Sequence, residues 1–274
     1  MPMYRFLLIL MITPLAVKSK PKSPSSDNFL TDHNMYVYWG WNRSWYTNSD
    51  IHLKGLNYDF TLEKVRAQDR QSSFSLKKYL FLTQFSVPQT NLKLGVFLNP
   101  KYSIALGFDH MKYVVERNQT TTISGVIDAG SSTYDGQYQR DSIMLNASFL
   151  AFEHTDGLNY IFVELNRHDQ IYSRGKLAFN SVLGISPALL RPRTDVTFLR
   201  VKGPNEYHNS GYGMNAKAGL DISLFTHISI LSEIKGGFIN LPDIRATTDP
   251  ADKASQHFWF LQANVQIGAK FTIK

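Results

Sequence analysis

Three short stretches of this chain group side chains that could do acid–base or metal chemistry. Phe108-Asp109-His110-Met111-Lys112-Tyr113 places a carboxylate, an imidazole and an amine within four positions. Phe152-Glu153-His154-Thr155-Asp156-Gly157-Leu158-Asn159-Tyr160 places one histidine and two carboxylates within four. Asn48-Ser49-Asp50-Ile51-His52 pairs an aspartate with a histidine, with Asp59, Glu63, Asp69 and Arg70 further along. An imidazole beside carboxylates can relay a proton or, with further ligands, hold a divalent metal through nitrogen and oxygen. The candidate catalytic residues are therefore His154, Asp156 and Asp109, and the candidate metal ligands are His154, Asp156 and His110. Each stretch also has a purely structural reading: Asp156-Gly157 suits a bulge or turn beside a buried histidine, and Asp50 with His52 suits ordinary loop polarity. With no cysteine in 274 residues, thiolate metal centres, iron–sulfur clusters, cysteine nucleophiles and disulfide frameworks are excluded.

The elements that must position these residues follow a period of two. Trp259, Leu261, Ala263, Val265, Ile267, Ala269, Phe271 and Ile273 alternate with a largely polar set from Phe260 to Thr272. Tyr212 to Ile222, Leu177 to Leu189, Tyr102 to Asp109 and Asn91 to Leu98 repeat the pattern, and segments 35–46, 157–169 and 227–240 complete eight. Segment 157–169 is apolar on both faces, which leaves its orientation open. Strict alternation predicts strands with one apolar face. The polar faces are Gly, Ala, Ser and Asn with occasional charges, which fits a narrow interior, while Leu, Ile, Val and Phe fit lipid. Strands of a dozen residues exceed those of soluble sheets and match tilted membrane crossings. No apolar run reaches the roughly 18 residues of a membrane helix. The fold expected is all-β: an antiparallel, transmembrane, up-and-down β-barrel of eight strands with long extracellular loops, or ten strands if part of 120–128 or 57–66 enters the sheet.

Connections near 99–101, 170–175 and 224–226 are short, whereas 47–87, 117–156, 191–208 and 241–256 are long. This alternation puts both termini and the short turns on the periplasmic side. Residues 1–20, with Arg5 before the apolar run Phe6–Val17, read as a signal peptide; 21–33 read as a flexible lead and 34–274 as one barrel domain. In a barrel this narrow, Asn42, Lys93, Asp109, Lys217, Asp221, Glu233, Lys235 and Gln266 are expected to pair inside and close the lumen. Aromatics of the first strand (Tyr36, Tyr38, Trp39, Trp41, Trp45, Tyr46) and the last (Phe258, Trp259, Phe260, Phe271) are expected at the lipid headgroups. The alternation turns His110 and Lys112 to the lipid side of the outer rim. Lys112, Arg191 and Arg193 there would suit lipid phosphates, in keeping with a net charge of +7.

Four segments carry a resemblance: Gly107-Phe108-Asp109-His110-Met111-Lys112-Tyr113, Phe152 to Asn159 with its Thr155-Asp156-Gly157-Leu158-Asn159 string, Arg191-Pro192-Arg193-Thr194-Asp195-Val196, and Glu206-Tyr207-His208-Asn209-Ser210-Gly211-Tyr212-Gly213. In this order, over about residues 92–273, the chain resembles the outer-membrane barrels related to the rhizobial lipid A oxidase. The resemblance implies an eight-stranded barrel of the Gram-negative outer membrane, and oxygen-dependent oxidation of the proximal glucosamine of lipid A with a divalent metal. The long 47–87 connection has no counterpart in that pattern. Two functions are thus in view. One is a structural or surface-interaction barrel with a filled lumen, and the other an outer-leaflet lipid A-modifying, oxidase-like enzyme. A small-solute channel is disfavoured by the charged interior. Expected partners are membrane lipid and lipopolysaccharide, not nucleic acid, and the expected state is a monomer; beyond that divalent metal no cofactor is indicated, and protein partners are not legible.

Overall fold

The computed structural model describes residues 34–72, 89–130, 132–225 and 227–273. The expected signal peptide and lead lie outside these residues. The strands are β1 (Met35–Tyr46), β2 (Ser49–Gly55), β3 (Tyr58–Val65), β4 (Ala67–Gln68), β5 (Thr90–Asn99), β6 (Tyr102–Val115), β7 (Gln119–Ile127), β8 (Gly136–Leu145), β9 (Leu150–Arg174), β10 (Leu177–Leu190), β11 (Asp195–Phe198), β12 (Val201–Lys202), β13 (Gly211–Leu224), β14 (Ile228–Arg245) and β15 (Lys253–Phe271). Eight of them, β1, β5, β6, β9, β10, β13, β14 and β15, pair antiparallel in sequence, and β1 returns to β15 from Met35↔Phe271 to Tyr46↔Phe260. That last pairing closes the ring and removes both sheet edges, the condition for a sheet to cross a bilayer. Tight turns at one end join β5–β6, β9–β10 and β13–β14. In the β9–β10 turn Gly175 takes a φ of 58°, which a side chain would oppose.

Outward residues of the ring form an apolar band. It runs from Trp259 to Ile267 on β15 and from Tyr212 to Leu220 on β13, close to the roughly 9–11 residues a tilted strand needs to cross. Leu106, Ile185, Leu189 and Met214 stand at 60–67% exposure, which in water would be a large exposed apolar patch and in lipid is the required surface.

The inward face is polar and tightly filled. Lys93 donates to both oxygens of Glu233 at 2.8 Å and stands 3.4 Å from Glu164, while Lys217 pairs with Glu164 at 2.7 Å and with Glu233. One layer towards the outer side, Lys235 pairs with Asp109, which also accepts from Asn91, and its ammonium lies 4.2 Å from the Phe162 ring centroid. One layer towards the turns, Lys270 pairs with Asp221 and Ser223, and Tyr38 donates to Asp221 at 3.2 Å. Four lysines and four carboxylates line the described lumen, a formal balance of zero. Glu164 and Lys270 extend the expected set; both complete pairs that the other lumen residues begin. Gly107 lies against the Phe162 ring, where a Cβ would collide.

Over the described residues, the long connections form further strands. β2 pairs with the outer end of β15, β3 with β2 and β7, and β7 with β8; β11 pairs with the outer end of β9, and β4 with β6. The stretches 57–66 and 120–128 do become strands, but they pair with each other above the ring, so the ring stays at eight. Ile51, Leu53, Phe60, Leu62, Ile123 and Phe149 are buried in this extension with Tyr113, Phe152 and Phe258 of the ring strands, one continuous apolar core. The expected aromatic girdle is half corrected. Tyr36, Tyr38, Phe258 and Phe260 are at most 4% exposed and point inward, and Tyr46 packs on Tyr113 and Phe258. Trp39, Trp41, Trp45 and Trp259 alone of the tyrosines and tryptophans on these two strands face outward, because the same period of two that exposes one set buries the other.

Glu233→Ala leaves Lys93 and Lys217 sharing one carboxylate in a dry interior. Removing one partner of such a group costs about 3–5 kcal/mol, whereas the outward neighbour change Ser232→Ala stays within about 0.5 kcal/mol. Denaturant midpoints of the two variants in detergent, followed by heat-modifiable gel mobility, measure the difference; equal midpoints contradict it.

Candidate functional site

The rim residues singled out above stand on the outer ends of β6 and β9 and on the connection that follows β10. Asp109 is inside the lumen, fully buried and held by Lys235 and Asn91. His154 is also inward but higher, in the apolar core. Gln256 donates to its Nε2 at 3.0 Å, so the ring proton sits on Nδ1 and is donated to Thr194 Oγ1 at 2.8 Å. Tyr113 and Phe152 flank the ring. Burial alone pulls its pKa down to about 3, so the imidazole is neutral. Asp156 points the other way, is exposed, and pairs with Arg193 at 3.3 Å. His110 faces out of the lumen yet is only 4% exposed, with Nδ1 3.0 Å from Asn159 Oδ1.

The candidate catalytic and metal residues therefore do not converge. His154 has both ring nitrogens engaged on one side of the sheet, and Asp156 is spent on an arginine on the other. A divalent ion would have to break both arrangements, so these residues do not fit the metal that the resemblance implied. Among the described residues no group of three or more His, Asp or Glu is placed to hold a metal ion. The Asp156-Gly157 step behaves as its structural reading held: Gly157 has a φ of 122° and the β6–β9 register shifts nearby, between Met111 and Tyr113.

What the fold does bring together at the rim is charge. Arg70 clamps Glu153 with two hydrogen bonds of 3.3 and 2.9 Å. Arg193 pairs with Asp156, donates to the Asn205 carbonyl at 2.9 Å and lies over the Tyr207 ring. Burial lowers the pKa of Lys112, opposed by Asp69. Arg191 is exposed, and only its backbone is tied, to the Asn159 carbonyl. Of the three residues expected to meet lipid phosphates, Arg193 is already committed to protein partners and Arg191 extends outward.

Sequence reasoning missed a second place altogether. At the far end of the extension, a cavity of about 660 Å³ opens where five connections meet: the β2–β3, β7–β8 and β8–β9 turns, the β11–β12 turn and the β14–β15 loop. Tyr58, Tyr134 and Phe198 line it with Arg200, Thr248 and Asp252. Nothing in the linear spacing signals it, because its residues are scattered from 57 to 252.

A neutral buried histidine makes stability depend on pH. The unfolded imidazole binds a proton below its ordinary pKa of 6.5 and the folded one only below about 3, so stability contributed by a neutral His154 is present above pH 6.5 and is lost as pH falls between these values. His154→Gln keeps a hydrogen-bonding side chain without titrating, and should flatten the fall in unfolding free energy over that window relative to the parent. Identical slopes would show that His154 is protonated in the folded core.

No family model matches the sequence, and no curated protein matches it. Among solved structures the chain is similar to the outer membrane protein OprG from Pseudomonas aeruginosa, with a TM-score of 0.40, 11% identity, and coverage of 89% of this chain and 99% of that one. It is similar also to Neisserial surface protein A (TM-score 0.36, 9% identity, 86% and 97% coverage) and to Ail, the attachment invasion locus protein of Yersinia pestis (0.29, 11%, 86% and 99%). The membrane assignment stands on the barrel: a closed antiparallel ring, a polar packed interior and an outward apolar band make this chain a β-barrel protein of the outer membrane.

Proposed function

We propose that this chain is a non-conducting outer-membrane barrel whose working part is the folded β-structure it holds above the cell surface, where it makes contacts with other molecules. The observation that carries this reading is the lumen. Lys93, Glu164, Lys217 and Glu233, each at most 6% exposed, cross it at one level and neutralise one another. An ion path would have to strip these pairs apart. Above them, the apolar core from Tyr113 and Phe258 to Phe60 and Phe149 ties the extension to the ring, so the surface structure is displayed rigidly. Arg191 at the rim is suited to the anionic headgroups of the outer leaflet, which would seat the barrel.

The second reading, modification of lipid A by an oxidase-like enzyme, has less support. It needs His154, Asp156 and Asp109 or His110 to face a common point, and their hydrogen bonds and ion pairs hold them apart on two faces of the sheet.

Purified full-length protein reconstituted in planar bilayers should add no stepwise conductance to the baseline. Steps of uniform size that persist across preparations would overturn the closed-lumen reading and favour a channel. For the enzyme reading, mass spectrometry of lipid A from cells with and without the gene should show the same species.

A further inference from the structure

The ring strands keep most of their cations away from lipid. Lys93, Lys217, Lys235 and Lys270 point into the lumen. Arg167 faces outward near the turns, but Asp169 holds it with hydrogen bonds of 2.8 and 3.1 Å. Arg43 is different. It lies exposed on β1 between the buried, inward-facing Asn42 and Ser44, so its side chain faces lipid. Among the described residues its guanidinium has no ion pair and no hydrogen bond. Across the sheet Arg43 pairs with Ala263, while Trp45 stands opposite Leu261 and Trp41 opposite Val265. Its Cα therefore lies within the apolar band that runs from Trp259 to Ile267 on β15. Ala263, with only a methyl group, offers it no acceptor. An ionised side chain at such a position is costly unless its head reaches the interface and finds a partner there.

The tryptophans supply an independent observation. The chain has four. All of them face outward around Arg43: Trp39, Trp41 and Trp45 on its own strand and Trp259 on the neighbouring one. Indoles that only levelled the barrel in the bilayer would be shared round the ring at both interfaces. Here Trp39, Trp41, Arg43 and Trp45 form one column at every second position of β1. Trp39 and Trp41 have ring centroids 5.1 Å apart and stand opposite Ile267 and Val265, on the turn side of Arg43. Trp45, on the outer side, is 50% exposed and Trp259 61%. A cation at the upper level, with an open apolar wall beneath it, matches a negatively charged head above a hydrocarbon chain. Guanidinium grips phosphate oxygens through two parallel N–H donors. We propose that Arg43 binds the phosphate monoester of an outer-leaflet lipid, whose acyl chain runs down the wall formed by Trp41, Trp39, Val265 and Ile267. β1 lies four strands from β10 in either direction round the ring, so this site is separate from Arg191. The proposal needs the membrane barrel but neither the sealed lumen nor the surface-contact reading, and a conductance result leaves it standing.

Full-length protein in a neutral detergent is titrated with phosphatidic acid, with diacylglycerol of the same chains, with phosphatidylcholine, and with inorganic phosphate alone. Native mass spectrometry counts retained lipid. Quenching of tryptophan emission by chain-brominated lipid reports where it lies, because every indole in the chain flanks the site. Phosphatidic acid should be retained roughly ten-fold or more tightly than the other two lipids, as expected for hydrogen bonds to a charged group, and should quench more at equal loading. Inorganic phosphate, which has no chain for the wall, should not displace it. Arg43→Gln should abolish the preference while the thermal midpoint stays at that of the parent, since no protein contact is removed. Arg167→Gln removes a lipid-facing cation elsewhere on the ring and should keep the preference. The proposal is overturned if phosphatidic acid is not retained, if diacylglycerol or phosphatidylcholine is retained equally well, if inorganic phosphate displaces the lipid, if Arg43→Gln keeps the preference, or if Arg167→Gln loses it.

Discussion

Four ionised side chains in the middle of a lipid-wrapped cylinder set the terms for the rest of this structure. Glu164 and Glu233 stand between Lys93 and Lys217, out of reach of bulk water. Such groups are tolerable only when charge and hydrogen bonds are matched, and the match requires strands from four parts of the chain to arrive in one register. β5, β9, β13 and β14 each contribute one member. A slip of one residue in any of them would turn an ion into the bilayer and an outward neighbour, such as Leu92, Leu165, Ala216 or Ile234, into the lumen. The network therefore fixes register, and register in turn fixes which residues meet lipid.

Closing the lumen moves the function elsewhere. Above the membrane band the inward face changes from charged to apolar, at Met111, Tyr113, Leu158 and Phe258. The ring strands continue outward and recruit β2, β3, β7 and β11 around that apolar core. The barrel thus meets two solvents with two opposite patterns: polar inside where lipid is outside, and apolar inside where water is outside. The outer part is stabilised as a soluble β-protein would be, by burial of side chains such as Phe60, Phe149 and Phe198, and it places five connections around one cavity at the tip.

Much of the ring was legible because membrane strands obey a two-residue rule that few other constraints disturb. The lumen residues Lys93, Asp109, Lys217, Asp221, Glu233 and Lys235 followed from it directly. Glu164 was hidden because β9 carries Tyr160 and Phe162 inward and Ile161, Val163 and Leu165 outward, so neither face reads as polar. The girdle expectation failed at Tyr36 and Tyr38 because the hydroxyl that suits a headgroup also suits Ser103 and Asp221 inside. The extension strands alternate too, at Ile51 and Leu53 and at Phe60 and Leu62, but their partners come from distant segments, and pairing is not written in local pattern. Site chemistry was the least legible. His154 and Asp156 are close in sequence and on opposite faces of one strand, and the tip cavity draws on residues nearly two hundred positions apart.

The central claim is that the lumen is sealed and the recruited strands stand outside the cell. Because the chain has no cysteine, single substitutions report position without background. Asn180→Cys probes the buried lumen and Thr248→Cys the outer tip. Treatment of intact cells with a membrane-impermeant maleimide should label Thr248→Cys fully and leave Asn180→Cys unlabelled until the protein is unfolded. Labelling of Asn180→Cys in the folded protein, or protection of Thr248→Cys on intact cells, would contradict it.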